Sequence, residues 1–330
     1  MKLSLADATT WTADVFARHG CSADNAGAVA RALVTAEADG LKGHGLSRIP
    51  TYLTLLRSGK VDGQATPVAT RTAPAVLAVD AANGFAYPAI DLALRELPPL
   101  ARDQGVATAA IHRSSHCGAA GWHVERLASA GLVALMVANT PAAMAPWGGR
   151  VPVFGTNPIA FAAPRDDASP LVVDLSVSKV ARGNLVAAKQ RGETIPEGWA
   201  LDANGNATTD PAAGLKGTMV PLGDAKGAAL AAIVEVLAVC LAGAVPSATA
   251  SSFLDAEGGP SGTGQLMVAF DPCAFGHDRF APLMTTLAAS IVMQDGARLP
   301  GARRFTQREA AMRDGVAIPE EALAAADQPG

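Results

Sequence analysis

The sequence predicts an α/β protein with helical segments at both ends of the chain and strands alternating with helices between them. Its 330 residues are 49% hydrophobic and 17% charged, enough apolar material for a core of two or three layers. Apolar side chains at helical spacing fill the first seventy residues and the tail after residue 278. Between them lie short apolar runs typical of buried strands, over residues 76–87, 106–112, 132–139, 171–176 and 266–270.

The N-terminal segment is predicted to contain two clear helices. The first is capped by Ser22, runs to Asp39 and is closed by Gly40, because serine favours helix starts and glycine favours helix ends. The second covers residues 46–57 and ends at Ser58-Gly59.

The middle of the chain is predicted to alternate between strands and helices. The run 76–87 turns at Asn83-Gly84, and Pro88 opens a helix through Leu97. The strand 106–112 is followed by a loop and then by a helix over residues 119–130.

The C-terminal half begins with a loop-rich excursion over residues 183–222. A strongly apolar helix over residues 226–243 follows, which packs on a sheet or on a partner chain. A loop over residues 247–264 precedes the last strand, and the helical tail is broken at Pro300-Gly301.

Composition and charge disfavour several classes of partner. The formal net charge is −4 with no long basic run, so neither nucleic acid nor an anionic membrane is an expected partner. The apolar stretches 131–149 and 227–245 approach the length of a membrane span, but two prolines in the first and Glu235 in the second favour buried core. The N-terminal residues have no apolar run typical of a signal peptide, and the widely separated cysteines favour a reduced, cytoplasmic setting. The cysteines are Cys21, Cys117, Cys240 and Cys273.

Common catalytic fingerprints do not occur in their required context. No GxGxxG follows a strand and opens a helix, so an ordinary Rossmann domain is not predicted. The sequence also contains no P-loop motif, no GxSxG elbow and no HExxH.

The sharpest local feature is the segment Gly43-His44-Gly45-Leu46-Ser47-Arg48. Arg48 lies one helical turn beyond His44, so an imidazole and a guanidinium can share one face. A guanidinium binds a carboxylate in a fork, and an imidazole can exchange a proton with a neighbouring oxygen. The pair suits a small anionic substrate with a reducible carbonyl; the alternative is a helix-capping histidine and a surface ion pair.

A second candidate site is Ser114-Ser115-His116-Cys117-Gly118, directly after a predicted strand. His112 and His123 lie nearby in sequence, but one falls in a strand and the other on a helix. Because this spacing does not match known ligand sets, we predict no metal site.

Three further segments contain candidate binding residues. Thr156 lies in the turn Phe154-Gly155-Thr156-Asn157-Pro158, which is also explained by plain turn chemistry. Asp174-Leu175-Ser176 ends a strand, where the acid can bind a ribose or a nicotinamide amide, or cap the next turn. Residues 298–304 carry Arg298, Arg303 and Arg304 around Pro300-Gly301, which suits a phosphate or a solvated basic patch.

Taken in order, these segments resemble the malate/L-lactate dehydrogenase family of the non-Rossmann type, which includes sulfolactate and ureidoglycolate dehydrogenases and pyrroline- and piperideine-2-carboxylate reductases. The resemblance covers nearly the whole chain. It implies a mixed-sheet α/β fold that binds NAD or NADP, assembled as an intertwined homodimer. We expect residues 1–120 with 271–330 to form a substrate and dimerisation domain, and residues 121–270 to form a cofactor-binding domain. The segments that carry the resemblance include GHGLSRIPTYL (43–53), SGKVDGQATP (58–67), SSHCGAAGW (114–122), FGTNPIAFAAP (154–164), VVDLSVS (172–178) and LPGARR (299–304).

The resemblance also implies roles for individual residues. His44 and His116 resemble the family's acid–base residues, and Arg48 and Thr156 resemble its substrate contacts. Which of the two histidines transfers the proton is left open. The cofactor contacts implied by the resemblance are His116, Cys117, Gly118, Asp174, Leu175, Ser176, Arg298, Gly301, Arg303 and Arg304.

Two departures from the family bear on the substrate. Gly43 replaces the usual serine before the motif histidine, and Asn184 replaces an acid found in the cyclic imino acid reductases. We therefore expect oxidation or reduction between a small 2-hydroxy acid and its 2-oxo acid, of the malate, lactate or sulfolactate type. Reduction of a cyclic imino acid is the alternative, and a cofactor-binding dimer without catalytic activity is a remote one.

Overall fold

The computed structural model describes residues 1–166 and 168–328. The helices are α1 (Leu5–Arg18), α2 (Ala23–Ala38), α3 (Ile49–Arg57), α4 (Ala86–Gln104), α5 (Ala120–Ser129), α6 (Arg182–Arg191), α7 (Pro211–Lys216), α8 (Ala225–Glu235), α9 (Phe280–Val292), α10 (Ala302–Asp314) and α11 (Glu320–Ala326). The strands are β1 (Lys2–Leu3), β2 (Val68–Ala73), β3 (Val76–Asp80), β4 (Val106–Ser114), β5 (Val133–Ala138), β6 (Ile159–Ala163), β7 (Leu171–Leu175), β8 (Ala200–Leu201), β9 (Ala207–Thr208), β10 (Thr218–Met219), β11 (Thr263–Phe270) and β12 (Val316–Ala317). Short 3₁₀ turns occupy Lys42–His44, Leu46–Arg48 and Pro272–Phe275, and a π-helical turn, Val236–Cys240, continues α8.

A seven-stranded mixed sheet forms the centre of the molecule, with the order β2-β3-β4-β11-β5-β6-β7. Only β3 and β4 run parallel among these neighbours; the other pairs are antiparallel. The late strand β11 is inserted between β4 and β5, and its inner residues are buried. The mixed-sheet α/β architecture is therefore confirmed.

The two ends of the chain meet in a second, helical core. Strand β1 pairs antiparallel with β12, which joins the N-terminal helices to the C-terminal ones. Inside this core the rings of Phe16, Tyr52 and Phe85 pack together. Ser22 caps α2 by accepting the Asn25 N–H at 3.3 Å, as its sequence position predicts.

Several elements differ from the sequence predictions. The proposed helix end at Leu97 is wrong, because α4 continues to Gln104 through two prolines, with Leu97 and Ala101 fully buried on the sheet. The excursion over residues 183–222 contains α6, α7 and a small sheet of β10, β8 and β9. Strands β2 and β6 were not predicted; β2 is a largely exposed edge strand, so it has no apolar run.

The expected domain division stays a prediction. Its boundary separates β4 from β11, which are hydrogen-bonded neighbours within one sheet. In the described part of the chain, no helix combines the length and the apolar character needed to cross a membrane. All four cysteines are free, with Cys21 and Cys117 buried.

Candidate active site

The loop that carries the first motif is shaped by the helix beneath it. The Glu37 carboxylate on α2 accepts the Leu46 N–H at 3.0 Å. A Cβ on Gly45 would collide with that carboxylate and lie 3.0 Å from the Glu37 backbone nitrogen. Gly45 is therefore required for the close approach that holds His44 and Arg48 in place, whereas a Cβ on Gly43 would meet open space.

The Arg48 guanidinium is oriented but has no acidic partner. Its Nε donates to the Gly43 carbonyl at 2.6 Å. Among the described residues no carboxylate forms an ion pair with Arg48, whereas Arg113, Arg126 and Arg308 each bind at least one. The outer nitrogens of Arg48 are therefore available for an external anion.

His44 and His116 lie side by side although they are far apart in sequence. Their rings are stacked, with centroids 5.3 Å apart and planes inclined by 11°. Burial and the nearby Arg48 guanidinium lower the pKa of His44 to about 4, although the Asp174 carboxylate acts in the opposite direction. Burial, Arg48 and His44 also lower the pKa of His116 well below its usual value. Both imidazoles are therefore neutral near pH 7.

His116 is held on its other sides by aromatic residues. Its Nδ1 lies 2.6 Å from the Tyr52 hydroxyl, which lies 2.8 Å from the Tyr87 hydroxyl. The Phe253 ring meets His116 edge-on at 5.4 Å. The imidazole is thus fixed on three sides, by His44, Tyr52 and Phe253.

Thr156 lies where two of the predicted segments meet. Its N–H donates to Thr140 Oγ1 at 2.9 Å, and its carbonyl accepts the Val177 N–H at 2.9 Å. Because Val177 directly follows Ser176, the turn that contains Thr156 is tied to the end of β7. The left-handed backbone of Asn157 is supported by its amide, which donates to Glu235 at 3.1 Å.

Asp174 connects β7 to the start of α5 and to the C-terminal tail. Its carboxylate accepts the Gly121 N–H at 2.8 Å and pairs with Arg304 at 3.3 Å. The Arg304 side chain is only 7% exposed and also lies 3.7 Å from Glu125. Its assignment to a cofactor phosphate stays a prediction, and in this structure its guanidinium faces two carboxylates.

The remaining predicted cofactor residues lie near this edge of the sheet or beside His116. Leu175 is partly exposed, and the Ser176 hydroxyl donates to the Ser178 carbonyl at 3.2 Å. Cys117 is buried, and burial raises the pKa of its thiol to about 12 with a smaller contribution from Asp174. The left-handed backbone of Gly118 allows the Tyr87 hydroxyl to approach, because a Cβ there would lie 2.6 Å from it.

The tail segment 298–304 packs against β7. A Cβ on Gly301 would lie 2.6 Å from the Val172 carbonyl, so the Pro-Gly turn touches the strand directly. Arg298 and Arg303 are exposed on either side of this turn, and neither binds a carboxylate within the described residues. Two cations without a carboxylate partner among the described residues, beside the strand that contains Asp174, fit a phosphate-bearing dinucleotide.

The other histidines near the motif do not converge on one point. His112 lies in β4, and His123 Nε2 lies 2.8 Å from the Cys117 carbonyl. Over residues 1–166 and 168–328, no cluster of three or more histidine, cysteine or acidic side chains could hold a metal ion.

Sequence reasoning missed four residues of the site: Tyr52, Tyr87, Phe253 and Lys60. Tyr52 lies one helical turn after Arg48, and the chain has only two tyrosines. The rarity of tyrosine was therefore a sequence signal that could have pointed to Tyr52 and Tyr87 as site residues. Lys60 is 3% exposed and donates to the carbonyls of Ser252, Asp255 and Glu257 at 2.6–3.2 Å. It thereby fixes the loop that carries Phe253, a contact across 190 residues that no local pattern indicates.

Comparison with known proteins gives consistent relationships over the whole chain. Residues 3–325 match the model of the malate/L-lactate dehydrogenase family. A (2R)-3-sulfolactate dehydrogenase (NADP(+)) of Chromohalobacter salexigens is 50% identical, over 93% of this chain and 91% of the relative. A Delta(1)-pyrroline-2-carboxylate/Delta(1)-piperideine-2-carboxylate reductase of Pseudomonas putida is 42% identical, over 94% and 91%. The crystal structure of a delta1-piperideine-2-carboxylate reductase from Pseudomonas syringae superposes with a TM-score of 0.91 at 38% identity, covering 100% of both chains.

Proposed function

The chain belongs to the malate/L-lactate dehydrogenase family, and we propose that it interconverts a small 2-oxo acid and the matching 2-hydroxy acid with NAD or NADP. The observation that carries this proposal is the Arg48 guanidinium, which forms no ion pair within the described part of the chain and lies beside two neutral, stacked imidazoles. The guanidinium can bind the carboxylate of such a substrate, and the imidazoles can hydrogen-bond the oxygen on its 2-carbon.

Arg48 is the proposed substrate anchor. With Nε held by the Gly43 carbonyl, its outer nitrogens can bind the carboxylate in a two-point fork. That fixes the 2-carbon and its oxygen next to the histidines. Such positioning contributes several kcal/mol, roughly three or more, to lowering the barrier. Thr156, across from Thr140, is the second proposed substrate contact.

His44 and His116 are proposed to act on the reacting oxygen. Because burial and Arg48 keep both rings uncharged, each can donate or accept a hydrogen bond without burying a second cation beside the guanidinium. His44 Nδ1 is buried and has no hydrogen-bond partner in the described part of the protein. A substrate oxygen bound between Arg48 and the two rings would give His44 Nδ1 a hydrogen-bond partner.

The cofactor is proposed to lie along the end of β7. When bound, its nicotinamide supplies or accepts the hydride. Asp174, Leu175 and Ser176, with His116, Cys117 and Gly118, are the proposed contacts on the nicotinamide side. Arg298, Gly301, Arg303 and Arg304 are the proposed phosphate side, and the two exposed arginines support this assignment most directly.

A second candidate function is the reduction of cyclic imino acids. It is favoured by the printed activity of the relative that is 42% identical. Gly43 and Asn184 count against it, because they remove the hydroxyl and the acid that the resemblance leads us to expect in such reductases. Asn184 is exposed on α6, and α6 contains no acidic residue that could take its place.

A substrate panel tests the proposal. Purified enzyme is assayed with pyruvate, oxaloacetate, sulfopyruvate, pyrroline-2-carboxylate and piperideine-2-carboxylate, each with NADH and NADPH. We expect the highest kcat/KM with a 2-oxo acid, and NADPH is the first cofactor to test because the relative that is 50% identical is named for NADP(+). Higher kcat/KM with the cyclic imino acids would replace the proposal by the second function. Cofactor binding by fluorescence without turnover of any compound would leave only the non-catalytic alternative.

We further propose that two copies of this chain form a homodimer. Helix α8, its π-turn and the residue that follows it expose an apolar stripe that includes Ile233, Val236 and Leu241, each more than half exposed. Helix α9 exposes Leu283 and Leu287. Apolar stripes of this kind mark protein interfaces. Light scattering after size exclusion should give twice the chain mass, and Ile233→Glu should give the monomer. A monomeric wild type at micromolar concentration would contradict this. We also propose a cytoplasmic location, because the four free cysteines suit a reducing compartment.

A further inference from the structure

The two tyrosines of this chain form a buried hydroxyl chain that ends on His116. The Tyr87 and Tyr52 hydroxyls are 2.8 Å apart, and the Tyr52 hydroxyl lies 2.6 Å from His116 Nδ1. Tyr52 and Tyr87 are each 1% exposed. The two hydrogen bonds of this chain can both donate towards His116 or both donate away from it. That donor direction decides which nitrogen of His116 carries the proton.

Counting donors and acceptors selects one direction. Within the described protein, the Tyr87 hydroxyl has a single hydrogen-bond partner, Tyr52. If Tyr87 donates to Tyr52, then Tyr52 donates to Nδ1, and every hydroxyl proton in the chain has an acceptor. In the reverse direction the Tyr87 proton has no protein acceptor, which costs about 1–3 kcal/mol for a buried donor.

The packing around Tyr87 restricts movement of its ring and hydroxyl oxygen. Gly118 approaches so closely that a Cβ there would lie 2.6 Å from the Tyr87 oxygen and 3.1 Å from its ring. His123 packs near the same ring, with centroids 6.2 Å apart. The Tyr87 ring therefore has no room to move towards Gly118, and its hydroxyl stays within 2.8 Å of the Tyr52 hydroxyl.

We propose that Tyr52 and Tyr87 are positioning residues that hold His116 as the neutral tautomer with its proton on Nε2, so that His116 presents an N–H donor to the substrate oxygen. Tyr52 is the deciding member, because it is the tyrosine whose hydroxyl contacts the imidazole. Adding a proton to Nδ1 would reverse both hydroxyls and leave one of them without an acceptor, so the chain also opposes a cationic His116. The inference rests on the proposed function for its catalytic meaning, but the tautomer can be measured without substrate.

The test is a long-range ¹H–¹⁵N correlation spectrum of the full-length protein labelled with ¹⁵N-histidine, at pH 7.5. The chain has six histidines, and the His116 signals are identified by their loss in His116→Gln. We expect Nε2 of the protonated type and Nδ1 of the unprotonated type in the wild type. The opposite assignment in the wild type would overturn the proposal whatever the variants do.

Two conservative variants separate a directional role from simple packing. Tyr52→Phe removes the donor to Nδ1 and should give a mixture of tautomers, with kcat about tenfold lower and KM changed less than twofold. Tyr87→Phe removes only the outer donor of the chain and leaves the Tyr52 donor to Nδ1, so the tautomer and kcat should change in the same direction but less than in Tyr52→Phe. An unchanged tautomer in Tyr52→Phe would refute the role of the chain. The expected spectra with no activity on any 2-oxo acid would refute the proposed function and leave this inference standing.

Discussion

The imidazole rings of His44 and His116 lie stacked with their centroids 5.3 Å apart, although 72 positions separate the two residues in the chain. Arg48 lies close enough to lower the pKa of both. Three basic side chains therefore share one small volume, and the protein keeps two of them neutral by burial while leaving the third charged for an anion.

Replacing the proposed anchor tests the carboxylate assignment. Arg48→Leu should raise KM for the 2-oxo acid and lower kcat/KM about a hundredfold, corresponding to roughly 3 kcal/mol for a charged two-point contact. Arg48→Lys should be intermediate, because it keeps the charge but loses the planar fork. Steady-state kinetics measure both. Arg57→Leu, at the C-terminal end of helix α3 that directly follows Arg48, is the matched control. Equal effects of Arg48→Leu and Arg57→Leu would remove Arg48 from the site.

The two glycines that flank His44 should differ in their tolerance of alanine. Gly45→Ala forces its Cβ into Glu37 and should cost about 2 kcal/mol of stability and most of the activity. Gly43→Ala places its Cβ in open space and should be close to neutral for folding. Thermal unfolding and kcat/KM are measured on both proteins. A well-folded, fully active Gly45→Ala would contradict the role given to this close approach.

Lys60 should affect the site at a distance through the loop that it binds. Lys60→Met removes charged hydrogen bonds to three carbonyls of residues 252–257, so the loop that carries Phe253 should loosen. We expect a stability loss of about 2 kcal/mol, faster proteolysis within residues 250–260 and a lower kcat. Lys216→Met, at an exposed lysine, serves as the comparison. Proteolysis at the wild-type rate would show that Lys60 does not hold this loop.

Acid should destabilise the fold through its buried histidines. Burial, opposed in part by the Cys117 carbonyl, lowers the pKa of His123 to about 4, below the unfolded value of 6.5. The unfolded chain therefore binds more protons between these values, so stability is full above about pH 6.5 and falls as the pH drops towards 4. For His123, which is 1% exposed, the loss amounts to about 3 kcal/mol.

His123→Gln should flatten this acid dependence, because its amide can donate to the Cys117 carbonyl but does not titrate. Urea unfolding at several pH values between 4 and 7 measures the slope of stability against pH. His277→Gln, at an exposed histidine, controls for the loss of an imidazole as such. An identical slope in wild type and His123→Gln would show that His123 does not carry the effect.

Several features of this protein were readable in the sequence because they depend on neighbours along the chain. Ser22 and Gly40 bound α2, since a cap and a left-handed closing residue act within a few positions. The spacing of His44 and Arg48 placed them in one short segment, although two separate 3₁₀ turns carry them rather than one helical turn. The short apolar runs gave five of the seven strands of the main sheet. The order of motifs was enough to recognise the family.

Only the tertiary structure decided which distant segments share the site. The insertion of β11 between β4 and β5 determines the strand order of the main sheet. Helix α3 brings Tyr52 into contact with His116. The pairing of Arg304 with Asp174 and the hold of Lys60 on the Phe253 loop likewise join residues more than a hundred positions apart. Helix caps, turns and periodic apolar faces are set by interactions within a few residues, so sequence reveals them. Strand order, burial of charge and the resulting pKa values depend on which remote groups exclude water from one another, and only the folded chain fixes that.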